Sequence, residues 1–330
     1  MKRLTPAKWI GVMAALAAGV AAIALVGTAV GSSGARPWSA LSDETAFTIV
    51  FKYRLLKVLL AVAVGGSLAV CGVTFQALLR NPLADPYILG VSGGASFGAM
   101  VAIWVGLPAV LGFPAVPAAA FAGALGTIFL VYSVAGRGSR VSPHTLLLVG
   151  VIANAFFAAG VKFIWSRAAF TKRDEMVNWI MGELPENISL TTVAAFAAVS
   201  LLGVLVMIPR AKAFNLMSLG EDAASSLGED VERTKLVGFF AASLLTAAAV
   251  AVSGPIGFVG LVVPHLLRLA FGPDHRLLLP ASVLGGGIFL ALADAVARSA
   301  PGGALPVGVV TAVLGCPFFL YLLKRGGVSG

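Results

Sequence analysis

The sequence predicts an all-α polytopic membrane protein of about ten transmembrane helices, and three observations predict it. Of its 330 residues, 59% are hydrophobic and only 11% charged, with mean hydropathy +0.98; soluble domains carry about 25% charged residues. The apolar residues fall into runs near the ~20 residues that a helix needs to cross a ~30 Å hydrocarbon core. None of these runs alternates with the period of two that marks a membrane β-strand. No segment between runs is long enough for a soluble domain, so residues 1–330 read as one transmembrane domain.

The predicted spans are 10–30, 58–79, 88–107, 115–135, 145–165, 191–209, 235–253, 256–272, 279–297 and 307–323. The first follows a basic start and precedes small residues, as a cleaved signal peptide would. Its apolar run is longer than a signal core and nine more follow, so it reads as an uncleaved helix. The second opens with Arg54 and Lys57 one helical turn apart. Asn81-Pro82-Leu83-Ala84-Asp85-Pro86 separates it from the third: its prolines stop a helix, and Asn and Asp can satisfy the freed backbone.

The third span begins with a small-residue face at Gly90, Gly93, Gly94 and Gly98, which suits either close helix packing or the wall of a wide path. Spans four and five follow, with Ser142-Pro143-His144 between them. Residues 166–190 form a polar loop with room for a short helix. After span six comes the polar segment 210–234, whose centre reads Asn215-Leu216-Met217-Ser218-Leu219-Gly220-Glu221-Asp222-Ala223-Ala224-Ser225-Ser226-Leu227-Gly228. Its pattern predicts two short helices hinged at Gly220, with Glu221 and Asp222 favourably placed at a helix N-terminus. Spans seven and eight are separated by the break Ser253-Gly254-Pro255-Ile256-Gly257-Phe258. Such irregular backbone is tolerated at membrane depth only where protein or a wet cavity surrounds it. Span nine carries Asp294 and Arg298 at i, i+4 spacing, a possible ion pair.

With the N-terminus inside, the inner side holds 14 Lys and Arg, counting Lys235 and Arg268 at the inner ends of their spans, and the outer side eight, with Lys162 inside a span. Basic residues are retained on the cytoplasmic side, so both termini are expected there, in the inner (cytoplasmic) membrane. Topology and anionic membrane lipid account for the net charge of +9, and nucleic acid is not indicated as a partner. Arg54, Lys57 and Arg298 lie outside against this trend: they either snorkel at the interface or meet an acidic partner.

Several chemistries find no support. The chain has no G-x-x-x-x-G-K-[ST] loop and no Gly-Lys dipeptide, so it is not expected to hydrolyse ATP itself. Cys71 and Cys316 lie inside spans, and His144, His265 and His275 lack ligand spacing; neither a metal site nor another cofactor is expected. Without a voltage-sensor helix, a T-V-G-Y-G filter or a carboxylate relay, a channel or proton-coupled transporter is disfavoured. A membrane-embedded enzyme would need a polar catalytic cluster that the spans do not show.

Residues 54–99, 215–228, 254–280 (GPIGFVGLVVPHLLRLAFGPDHRLLLP), 292–298 (LADAVAR) and 305–323 (LPVGVVTAVLGCPFFLYLL) closely resemble the FecCD-type permeases of type II binding-protein-dependent ABC importers. This family carries ferric siderophores, heme and cobalamin. The resemblance implies the type II permease fold and a homodimer enclosing the path. It also implies two ATP-binding subunits below and a periplasmic or lipoprotein substrate-binding protein above. It places ATPase coupling on Leu216, Met217, Leu219, Gly220, Glu221, Ala224, Leu227 and Gly228, and binding-protein docking on Arg54, Lys57 and Arg298. The inner gate would fall at Ser142, Pro143 and His144. Relatives read R-L-P-R where this chain has Arg54-Leu55-Leu56-Lys57, so Lys57 keeps the charge but loses bidentate geometry. The alternative, a stand-alone secondary transporter or channel, differs in needing no ATPase subunit.

Overall fold

In hydrocarbon each peptide N–H and C=O must be bonded within the protein, and this chain meets that demand with helices. The computed structural model describes residues 4–29, 44, 48–108, 114–136, 142–300 and 305–325, and among these there is no strand. Helix α1 is Pro6–Ala29, and a π-helical segment, Thr48–Leu55, leads into α2, Leu56–Leu78. Next come α3 (Val91–Val105), α4 (Ala115–Ala135), α5 (Pro143–Arg167), α6 (Phe170–Met181) and α7 (Leu190–Met207). The short helices α8 (Ala211–Met217) and α9 (Glu221–Ser226) precede α10 (Val231–Ser253), α11 (Val259–Phe271), α12 (His275–Arg298) and α13 (Val307–Arg325).

Seven of the described helices are long and apolar enough to cross a membrane, and the apolar stretches 91–105, 259–271 and 307–321 are shorter. Together they coincide with the ten spans read from the sequence. Helices α1, α2, α5, α10 and α12 start two to four residues before those spans do, which takes Lys57 into α2 and Glu232 and Arg233 into α10.

Two spans are shorter than expected for a backbone reason. At 1.5 Å per residue, α3 rises only about 22 Å and α11 about 20 Å. Pro86–Leu89 is a 3-10 turn capped by Gly90 at φ +83, so α3 begins later than the apolar run does. Asp85 caps that turn by accepting from Tyr87 N at 2.9 Å. The segment before α11 is open, with Gly254 at φ +63 and Phe258 at φ +69. Its backbone is satisfied internally: Tyr87 Oη donates to Ile256 O (2.9 Å) and accepts from Ile256 N (3.0 Å), while Glu183 N donates to Ser253 O (2.9 Å). The break is therefore buried against other elements, with Ile256 1% exposed.

Helix α2 is buried on nearly every face and forms the axis of the bundle, packed by α12, α10, α11 and α7. Glycine makes these approaches possible. A Cβ on Gly65 of α2 would fall onto the carbonyl of Gly286 in α12, and one on Gly286 would fall onto that of Gly65. Gly72 abuts the carbonyl of Gly260 in α11 in the same way. The small-residue face of α3 does the same work, since Gly94 meets Gly123 and Thr127, and Gly98 meets Ala119 of α4. Close packing is thus the role of that face within this chain. Outward, α1, α5, α7 and α13 expose large apolar side chains such as Leu25, Phe156, Leu202 and Leu320, a surface suited to lipid or to a second copy.

Candidate functional site

At one end of the bundle, Ile208-Pro209-Arg210 turns the chain into α8 and α9. The bend between them rests on Gly220, at φ +117 and ψ 151, a backbone region closed to side chains. A second left-handed glycine, Gly228 at φ +87, ends α9, and Glu229 N returns to Ala224 O at 3.0 Å. The predicted hinge glycine, Gly220, and Gly228 after α9 therefore both do what glycine alone does at no steric cost.

The elbow is fixed from beneath. Phe214, Met217 and Ala224 are fully buried, and Leu216 is half-buried. Asn215 ties α8 to the start of α12: its Oδ1 accepts from His275 N (2.9 Å) and lies 2.8 Å from His275 Nδ1, and its Nδ2 donates to Asp274 Oδ1 (2.8 Å). Because Asn Oδ1 only accepts, His275 holds its proton on Nδ1. Hydrogen bonds from Arg276, with a further one from Asn215, hold the Asp274 carboxyl down at about 2 despite partial burial. Lys235 of α10 donates to Glu221 Oε2 (2.5 Å) and Glu232 Oε1 (3.1 Å), so Glu221 anchors α9 as well as favouring its N-terminus.

Two leucines stand out on the outer surface, among the exposed polar residues Ser218, Asp222, Ser225 and Ser226. Leu219 and Leu227, on either side of α9, are 67% and 64% exposed. Of the eight residues expected at this loop, Leu219 and Leu227 face outward, Gly220 and Gly228 shape the backbone, and Glu221 anchors it. Met217 and Ala224 pack inward, and Leu216 lies between. Asn215, Lys235 and His275 belong to the same unit, and reading the sequence for the loop did not single them out.

At the opposite end, Arg54, Lys57 and Arg298 converge on Asp294 and on the end of α1. Arg298 Nε donates to Asp294 Oδ2 at 2.9 Å, the predicted i, i+4 pair, and Lys57 Nζ lies 3.8 Å from Asp294 Oδ1. Arg298 Nη2 donates to Gly27 O (3.0 Å), and Arg54 Nη1 to Thr28 O (3.2 Å) and Ala29 O (3.4 Å). These are last-turn carbonyls of α1, where an intrahelical partner is missing and the helix dipole favours cations. Arg54 and Lys57 are each 6% exposed, so the cluster is buried within the single chain rather than spread on its surface.

Ser142 and His144 are exposed at the start of α5, with Pro143 in its first turn. The structure brings no described residue together with them as a constriction, and 137–141 lie outside the described residues, as does the side chain of Pro143. Among the described residues no three His, Cys, Asp or Glu gather as a metal site.

Comparison with known proteins agrees with this architecture. The chain is 44% identical over 303 residues to the cobalamin import system permease protein BtuC of Halobacterium salinarum, covering 88% of this chain and 80% of that one. It is 39% identical to the hemin transport system permease protein HmuU of Yersinia pestis, covering 87% and 86%. A solved structure described as an inward-facing metal-chelate type ABC transporter superposes with a TM-score of 0.83 at 30% identity, over 96% of this chain and 99% of the other. The FecCD transport family matches residues 9–325, which takes in the elbow and all the described spanning helices but the first three residues of α1. With ten apolar helices among the described residues, in the fold of those permeases, and an elbow at one end, the chain belongs to the FecCD transport family, the membrane permeases of ABC importers.

Proposed function

We propose that this chain is the permease subunit of an ATP-driven, binding-protein-dependent importer that moves an iron complex (ferric siderophore or heme) or cobalamin across the inner membrane. Two copies enclose the path, both termini face the cytoplasm, two ATP-binding subunits sit beneath, and a substrate-binding protein docks on the far side. The elbow of α8 and α9 is the cytoplasmic contact through which ATP-driven closure of those subunits moves the bundle between outward- and inward-open states. The cluster of Arg54, Lys57 and Arg298 marks the docking end, and Ser142, Pro143 and His144 mark the inner gate.

The observation that carries the reading is the elbow itself. Leu219 and Leu227 expose apolar surface on a loop outside the spanning helices, while Asn215–His275 and Lys235–Glu221 bind that loop rigidly to α12 and α10. An exposed apolar pair on a stiff lever suits a protein partner that pushes. The cargo reading rests on relatives named for cobalamin, hemin and Fe(3+)-citrate import. Leu219→Ser with Leu227→Ser is expected to abolish co-purification of the ATPase subunit while the permease stays in the membrane at normal yield. Undiminished co-purification would remove the elbow from the interface.

A further inference from the structure

A cavity of about 820 Å³ opens at the elbow end, and its walls are helix ends: the first turn of α1, the last turns of α2 and α11, the first turn of α12, and α8. A cavity ringed by the ends of four membrane-crossing helices lies at the depth of lipid headgroups. It is lined by four cations, Lys8, Arg80, Arg268 and Arg276, against the single carboxylate of Asp274, which Arg276 already binds at 2.6 Å. Lys8 Nζ spends one donor on Phe271 O (2.7 Å), and Arg268 spends Nη2 on Gln76 Oε1 (2.7 Å). The side chain of Arg80 is exposed and, among the described residues, makes no hydrogen bond or ion pair. An ammonium has three donors and a guanidinium five, so most of the donors at this mouth are unspent.

The remaining wall is mostly apolar, from Leu4, Leu216, Leu219, Phe271 and Leu277, with the neutral polar groups of Gln76, Asn215, Ser218 and His275 among them. Trp9 stands beside it, 38% exposed, with Nε1 donating to Arg276 O at 3.2 Å, the posture of an interfacial aromatic. Basic charge over apolar walls at headgroup depth suits an amphiphile rather than a free ion, and the volume falls in the range of small-molecule sites, roughly 300–1,000 Å³. We propose that this cavity binds the phosphate headgroup of an anionic phospholipid, with its acyl chains along the apolar wall. The bound lipid touches Leu216 at the base of the elbow, so its presence stiffens the elbow from the membrane side and leaves the outer face of Leu219 to the partner. The proposal rests on the membrane reading and on the cavity, and it stands whatever the cargo is.

The test is native mass spectrometry of the delipidated full chain titrated with phosphatidylglycerol or phosphatidylcholine. Selective retention of phosphatidylglycerol is expected, and Lys8→Glu with Arg80→Glu should cut its affinity by more than about 30-fold, since the loss of two cations alone implies about that factor and the new carboxylates add repulsion. Lys324→Glu, an exposed basic residue near the end of α13 and outside the cavity, is the control and should leave retention unchanged. The milder pair Lys8→Gln with Arg80→Gln, checked by its melting temperature, gives the same readout if charge reversal impairs folding. Equal retention of both lipids, or equal loss in the Lys324 variant, would overturn the site. Displacement by millimolar inorganic phosphate would make it a free-anion site, and displacement by the ATPase subunit a protein contact; either result overturns the lipid assignment.

Discussion

Replacing Asp294 by alanine would leave Lys57 and Arg298 facing each other without their shared carboxylate. The three side chains are 2%, 7% and 9% exposed, so water cannot screen the two cations once the anion is gone. Removing one partner from a buried ion pair costs about 3–5 kcal/mol, far more than the pair's net contribution, because the remaining charge stays desolvated. The contrast within this protein is Asp274–Arg276, whose side chains are 24% and 48% exposed. An exposed pair of that kind contributes about 0–1 kcal/mol. Asp294→Ala is therefore expected to destabilise by about 3 kcal/mol or more, and Arg276→Ala by about 1 kcal/mol or less. Unfolding titrations in mixed micelles measure both. Adding Lys57→Met to Asp294→Ala should recover part of the loss, since it removes one of the stranded charges. A loss under about 1 kcal/mol for Asp294→Ala, or no recovery in the double variant, would show that the cluster is hydrated and that its burial does not set its energetics.

Three further outcomes follow from the geometry. Gly220→Ala meets no atom within 4 Å but must adopt φ +117, so it should cost about 1–3 kcal/mol of local strain and slow transport while membrane yield stays normal; wild-type uptake would mean that the hinge tolerates another conformation. Gly286→Leu drives a side chain into the backbone of α2 at Gly65 and should prevent assembly of the bundle, seen as loss of the monodisperse protein, whereas Gly11→Leu, with open space around it, should be silent. Burial raises the Asp85 carboxyl to about 6, above its unfolded value near 4, so folding favours the protonated form and stability falls as pH rises through 4 to 6. Asp85→Asn keeps a capping side chain and should remove that pH dependence, raising stability at pH 7.5 but not at pH 4; an unchanged slope would assign it to another group.

The spans were legible because lipid demands long apolar runs and this chain supplies them with few interruptions. The break at residues 254–258 was legible for the same reason, since Gly254-Pro255 cannot continue a helix. The shortness of α3 was not, because Ile88, Leu89 and Gly90 are apolar or small enough to extend the run, and only the Asp85 cap and the left-handed Gly90 end it. The hinge at Gly220 was readable from a glycine followed by two acids. What holds the hinge was not: Asn215 and His275 are 60 residues apart, and pattern within a loop carries no signal for such a pair. The basic residues at the far end were readable as a group by their charge against topology. Their convergence on Asp294 and on the carbonyls of α1 comes from the packing of α1, α2 and α12, and of this only the Asp294–Arg298 spacing was visible beforehand.

Cargo movement by this chain is expected only when an ATPase drives it. The direct measurement is uptake of labelled ferric siderophore, heme and cobalamin into vesicles holding the permease, its ATPase and its binding protein, with and without ATP at the ATPase face. ATP-dependent accumulation of one of these ligands is predicted, and it would identify the cargo. Accumulation driven by a proton gradient in vesicles lacking the ATPase would contradict ATP-driven import.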